Sequence, residues 1–125
     1  MREQAAYRYS RLQNEYQELS AHTEVLKQQA QLKYEECCNL QQYMSVNGSD
    51  KVSVARYKKA LSDYNSLSNN ISRNQGRLVN IANKINIECQ KEQVRIERAN
   101  MSAQRKMINA MNRAYMKSNK SNYGY

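Results

Sequence analysis

The sequence predicts an all-α fold, an antiparallel two-helix coiled-coil hairpin with a longer C-terminal helix. Three observations carry that expectation. The 125 residues contain no proline and only three glycines, so almost nothing interrupts a helix. Apolar residues recur at alternating steps of four and three through two long stretches, as in a heptad seam. Between them SVNGSDKVS, residues 45–53, is the one stretch rich in turn formers.

The first helix is expected over about residues 3–46. Its stripe runs Ala5, Tyr9, Leu12, Tyr16, Leu19, Thr23, Leu26, Ala30, Lys33, Cys37, Leu40 and Met44, with small or polar defects at Thr23 and Lys33. The turn is expected at 47–50. Asn47-Gly48 stops the first helix because glycine accepts the left-handed conformation, and Ser49 or Asp50 caps the next by accepting an orphan backbone N–H. The second helix is expected over about 51–117, with its stripe at Val54, Tyr57, Leu61, Tyr64, Ser68, Ile71, Gln75, Leu78, Ala82, Ile85, Cys89, Glu92, Ile96, Ala99, Ala103, Lys106 and Ala110. Residues 118–125, polar and glycine-containing, are expected to form a flexible tail.

Folding back about the turn pairs residues whose numbers add to roughly 97 in antiparallel coiled-coil geometry. Leu40 then meets Tyr57, and Leu26 meets Ile71. The defects coincide too, with Ala30 opposite Ser68 and Thr23 opposite Gln75. At ~1.5 Å per residue the helices are about 65 and 90 Å long. The second overhangs the first from about Gln93, and its apolar residues Val94, Ile96, Met101, Met107, Ile108, Met111 and Tyr115 have no partner within the chain.

Mean hydropathy is -0.99 and hydrophobic residues make up 40%. Such a chain buries a seam rather than a broad core. No apolar run approaches the ~20 residues of a membrane span, so no membrane insertion is expected. The start, MREQAAYRYSR, lacks a signal-peptide core, which predicts a protein that begins in the cytoplasm. Three cysteines at 37, 38 and 89 show no C-x-x-C spacing and read as reduced thiols, Cys37 and Cys89 in the seam. His22, the single histidine, has no second ligand at metal-binding spacing. With no phosphate loop, paired carboxylates or Ser/His/Asp set, the expectation is a non-enzyme without catalytic, metal or cofactor residues.

The net charge of +9 is uneven. Residues 1–46 carry five Lys/Arg and six Asp/Glu, residues 47–92 eight and four, and residues 93–125 seven and one. In a hairpin, Arg2, Arg8 and Arg11 join the C-terminal block, so the positive field gathers at the end formed by the termini. That field suits nucleic acid, an acidic membrane surface or an acidic protein. The cations are spaced by Asn, Ala, Met and Ile rather than packed densely or interleaved with aromatics. This favours a protein partner and makes nucleic acid the weaker reading.

On architecture, charge and the patterns YKKALSDYNSLSNNISRNQGRLVNIANKI and CQKEQVRIERANMSAQR, the chain resembles the FliJ/YscO family, the central stalks of flagellar and type III secretion ATPases. The resemblance spans nearly the whole chain, although the tryptophans that several relatives carry in the second helix are absent. It implies a stalk whose paired terminal helices enter the pore of a hexameric ATPase, promote its oligomerisation and ATP hydrolysis, and couple it to an export gate. The implied ATPase-binding residues are Arg8, Arg11, Val94, Arg95, Ile96, Arg98, Met101, Arg105, Lys106 and Met107. The implied export-gate contacts lie around Tyr57, Leu61 and Tyr64. Export chaperones are further partners that the resemblance implies, at a cytoplasmic location peripheral to the inner-membrane secretion apparatus. The alternatives are an export chaperone or adaptor, a secreted helical hairpin (although the W-x-G turn of type VII proteins is absent), and a nucleic-acid-binding coiled coil.

Overall fold

A computed structural model describes the backbone of residues 2–123 and the side chains of residues 3–119. It is all-α, with helix α1 at Arg2–Asn47 and helix α2 at Lys51–Tyr123. The chain divides into two units, Met1–Ile85 and Asn86–Tyr125. The first contains the hairpin, α1 packed antiparallel on the N-terminal part of α2. The second is the remainder of α2. That helix continues past residue 117, through part of the segment expected to be a tail. Ser, Asn and Lys cost a helix only tenths of a kcal/mol each, and no strong breaker precedes Gly124. Residues 124 and 125 lie outside the described residues.

The turn works through two local devices. Gly48 has φ +87°, the left-handed conformation that ends a helix, and its N–H donates to Met44 O at 2.9 Å, satisfying a carbonyl that α1 would leave orphaned. Asp50 caps α2. Its Oδ1 accepts from the Ser53 N–H at 2.6 Å and its Oδ2 from the Ser53 hydroxyl at 3.1 Å, while its own carbonyl accepts from Val54 N–H at 3.0 Å, which opens the ladder.

Three cross-helix contacts give the register. Gln41 Nε2 donates to Tyr57 Oη at 2.8 Å, Lys33 Nζ lies 3.6 Å from Asp63 Oδ2, and the Tyr34 and Tyr64 ring centroids are 6.0 Å apart. The residue numbers of these pairs add to 98, 96 and 98, so the antiparallel register expected from the sequence is the one formed. The predicted α1 stripe is also formed: each of its residues is buried or half-buried except Tyr16, at 37% exposure.

The stripe on α2 needs a correction. Val54, Tyr57, Tyr64, Ser68, Ile71, Leu78, Ala82 and Ile85 are half-buried, but Leu61 is 38% exposed and Gln75 is exposed. Their places belong to Ala60, 1% exposed, and half-buried Asn74. Leu67 and Ile81 continue the same phase. The burial repeat is thus 57, 60, 64, 67, 71, 74, 78, 81, 85, a heptad whose second position lies one residue earlier than expected. Under the 97 register Cys37 sits opposite Ala60, a layer of two small side chains that permits close helix approach. Leu67, not Ser68, then faces Ala30, and Asn74, not Gln75, faces Thr23. Thr23 is 2% exposed, and its hydroxyl donates back to Leu19 O at 2.6 Å, so this polar layer meets its hydrogen-bonding needs from its own helix.

Candidate interaction surface on the C-terminal part of helix α2

The second unit, Asn86–Tyr125, carries the densest run of exposed apolar side chains. Ile87, Val94, Met101, Ile108 and Tyr115 recur every seventh residue, with exposures from 44% to 69%. Successive helical residues are about 100° apart, so these five fall within about 80° of one another on one face. Met111, 68% exposed, widens the face. Seven residues is also the coiled-coil repeat.

The cations occupy their own sector. Lys91, Arg95, Arg98, Arg105, Lys106, Arg113 and Lys117 all project within about 120° of arc bordering the apolar stripe. Arg95 is half-buried, and its Nη1, shielded from solvent, lies 2.9 Å from Glu92 Oε2 in an ion pair that misses hydrogen-bond alignment. Lys91 approaches Glu88 at 3.7 Å. Among the described residues no carboxylate lies within ion-pair distance of Arg98, Arg105, Lys106, Arg113 or Lys117. These five guanidinium and ammonium groups are the unpaired cations of the arc.

Ile96 and Met107, 50% and 65% exposed, belong to neither sector. They fall with Ala99, Ala103, Ala110 and Ala114 on a third, small-residue face. The residues expected to bind an ATPase therefore separate: Val94 and Met101 share the apolar stripe, Arg95, Arg98, Arg105 and Lys106 the basic arc, and Ile96 and Met107 the small-residue face. Arg8 and Arg11 belong to the hairpin unit, where Arg11 Nε pairs with Glu15 Oε1 at 3.4 Å. Ile87, Lys91, Arg113 and Lys117 were not singled out in the sequence, although their helical phase puts them on the stripe and the arc.

Of the residues expected at an export gate, Tyr57 and Tyr64 are half-buried in the hairpin, engaged with Gln41 and Tyr34. Leu61 points outward. The cysteines also divide differently from expectation. Cys37 is buried and burial pushes its thiol pKa up, whereas Cys38 and Cys89 are exposed. Cys89, expected in the seam, is exposed, whereas its neighbour Glu88 is half-buried.

Among the described residues no three His, Cys, Asp or Glu side chains gather as a metal site, and no helix is long and apolar enough to cross a membrane. The shallow grooves of the hairpin unit lie open between α1 and α2. The fold and surface define the class as an all-α helical hairpin with an exposed basic, apolar helix face. No protein-family model, curated protein or solved structure matches the chain.

Proposed function

We propose that this chain is a stalk-type interaction protein of the FliJ/YscO kind, acting in the cytoplasm at a type III secretion apparatus. Residues 86–117 bind the acidic inner surface of a hexameric ATPase, favour its assembly and raise ATP hydrolysis. The hairpin unit meets the export gate through the surface around Leu61. Export chaperones are further partners of the same hairpin. The observation that carries the reading is the basic arc, with Arg98, Arg105, Lys106, Arg113 and Lys117 unmatched by internal carboxylates, set beside an apolar stripe of constant seven-residue spacing. A sixfold ring repeats each acidic pore residue six times, so an arc of cations finds attraction at successive rotational positions. Arg8 and Arg11 are a separate candidate set.

ATP turnover of a type III secretion ATPase, measured with and without this protein at fixed ionic strength, tests the reading. Arg98→Glu/Arg105→Glu changes two exposed side chains and should leave helicity intact. Stimulation by the native chain that this variant loses supports the stalk, and stimulation that survives the variant rejects the basic arc as the contact. A second reading, a nucleic-acid-binding coiled coil, draws on the same one-sided arc. It requires affinity for duplex DNA that falls steeply with salt. An export adaptor is separated by stoichiometry, one copy per client rather than one per hexamer.

A further inference from the structure

The hairpin unit holds a groove whose chemistry complements the basic, apolar face. Between α1 and α2, Leu32, Tyr43 and Val52 line two adjoining hollows of about 480 and 740 Å³, where the carboxylates Glu35, Glu36, Asp50 and Asp63 outnumber the cations Lys33 and Arg56. Leu32 is 65% exposed, Tyr43 49% and Val52 63%. On α1 the exposed apolar residues Val25, Leu32 and Val46 follow a seven-residue spacing with one gap at Asn39. That is the pitch of Ile87, Val94, Met101, Ile108 and Tyr115. The carboxylates flank this α1 stripe on both sides, since Glu18 and Glu36 fall on one edge and Glu24 and Glu35 on the other at about 100° per residue.

We propose that the 87–115 face of one copy lies in the α1/α2 groove of a second copy, making a three-helix contact between chains. An amphipathic helix in an apolar groove is a recurrent recognition mode. Here both halves are present in one sequence, a basic, apolar face and an apolar groove in which carboxylates outnumber cations. Pairing of the 87–115 faces with each other is disfavoured, because it sets seven cations of one copy against seven of the other with few carboxylates between them. Groove and face are different surfaces, so the contact is heterologous and association need not stop at two copies. Occupation of the face by a neighbour withholds it from any other acidic partner. The inference does not rest on the stalk reading and is tested without an ATPase.

Sedimentation velocity of the full chain over a wide concentration range, at low and high salt, is the test. The native chain should associate at low salt and dissociate as salt rises. Arg98→Glu/Arg105→Glu and, separately, Glu35→Lys/Glu36→Lys should each weaken association at least about tenfold. An equimolar mixture of the two should recover a mixed complex. Because Glu36 also pairs with Lys33 at 3.2 Å, Leu32→Gln, which removes the apolar contact without adding charge, is the second groove variant. Its side chain is exposed, it disturbs no internal ion pair, and it should weaken association while helicity is kept. A native chain monomeric throughout overturns the proposal. So does association that survives the Arg98/Arg105 and Leu32 variants, or a mixture that fails to recover.

Discussion

Replacing Ala60 by leucine and, separately, Leu61 by alanine tests the packing phase of α2 directly. Ala60 is 1% exposed, in the layer that the register sets opposite buried Cys37. Three extra carbon atoms there have no space to enter, and overpacking a well-filled layer costs about 1–3 kcal/mol. Leu61 is 38% exposed. Its truncation removes only part of a buried side chain and improves helix propensity, so the cost should stay below about 1 kcal/mol. At this chain length each kcal/mol is worth about 4 °C in melting temperature. Urea unfolding followed by far-ultraviolet circular dichroism measures both variants. The Ala60 variant should show the lower midpoint with an unchanged m-value. A larger loss for Leu61→Ala than for Ala60→Leu would return the seam to residue 61 and refute the close-approach argument.

Three further outcomes follow from single residues. Gly48→Ala should destabilise the hairpin by about 1–2 kcal/mol. The backbone conformation is the whole cause, since a Cβ there meets nothing within 4 Å, and Gly48→Asn should recover part of the loss in the same urea assay. The Asp50 carboxyl is held below its ordinary pKa range, first by the Ser53 backbone N–H and then by the Ser53 hydroxyl. A depressed folded-state pKa gives stabilisation that is complete above the unfolded value of ~3.9 and disappears as pH falls through the lower folded value. Melting temperature against pH should therefore be flatter on the acid limb for Asp50→Asn, which keeps a capping oxygen without the titration; an unchanged acid limb would discard the cap as its source. Under native conditions a thiol reagent should label Cys38 and Cys89 rapidly and Cys37 only on unfolding, and fast labelling of all three thiols would contradict the seam position of Cys37.

The hairpin was legible in the sequence because its signals are local or periodic. Gly48 and Asp50 are the residue types that a left-handed stop and an N-cap demand, and both act in those roles. On α1 a single continuous stripe left no choice of phase. On α2 two choices competed after Tyr57, Ala60 at a step of three and Leu61 at a step of four. Hydrophobicity favoured leucine, whereas the close approach of α1 favoured alanine. The same ambiguity separates Asn74 from Gln75. Residue type carries little information where the helix spacing itself decides which side chain fits.

The candidate surface was legible in part for a related reason. Val94, Met101, Arg98 and Arg105 stand out by type and charge, but their division into a stripe, an arc and a small-residue face depends on helical phase over some thirty residues. Lys91, Arg113 and Lys117 join the arc only once that phase is followed. The engagement of Arg95 by Glu92, three residues away, also becomes visible only with side chains in place.

By itself, the sequence determined the all-α class, the position of the turn, the antiparallel register near 97 and the uneven spread of charge. Each follows from backbone propensity, capping chemistry or a repeat read along one chain. Only the tertiary structure decided which of two adjacent residues enters the seam of α2, which thiol is buried and which cations are already paired. Those outcomes depend on the distance between two helices and on the side chain that the neighbouring helix presents, and a single strand of sequence specifies neither one residue at a time.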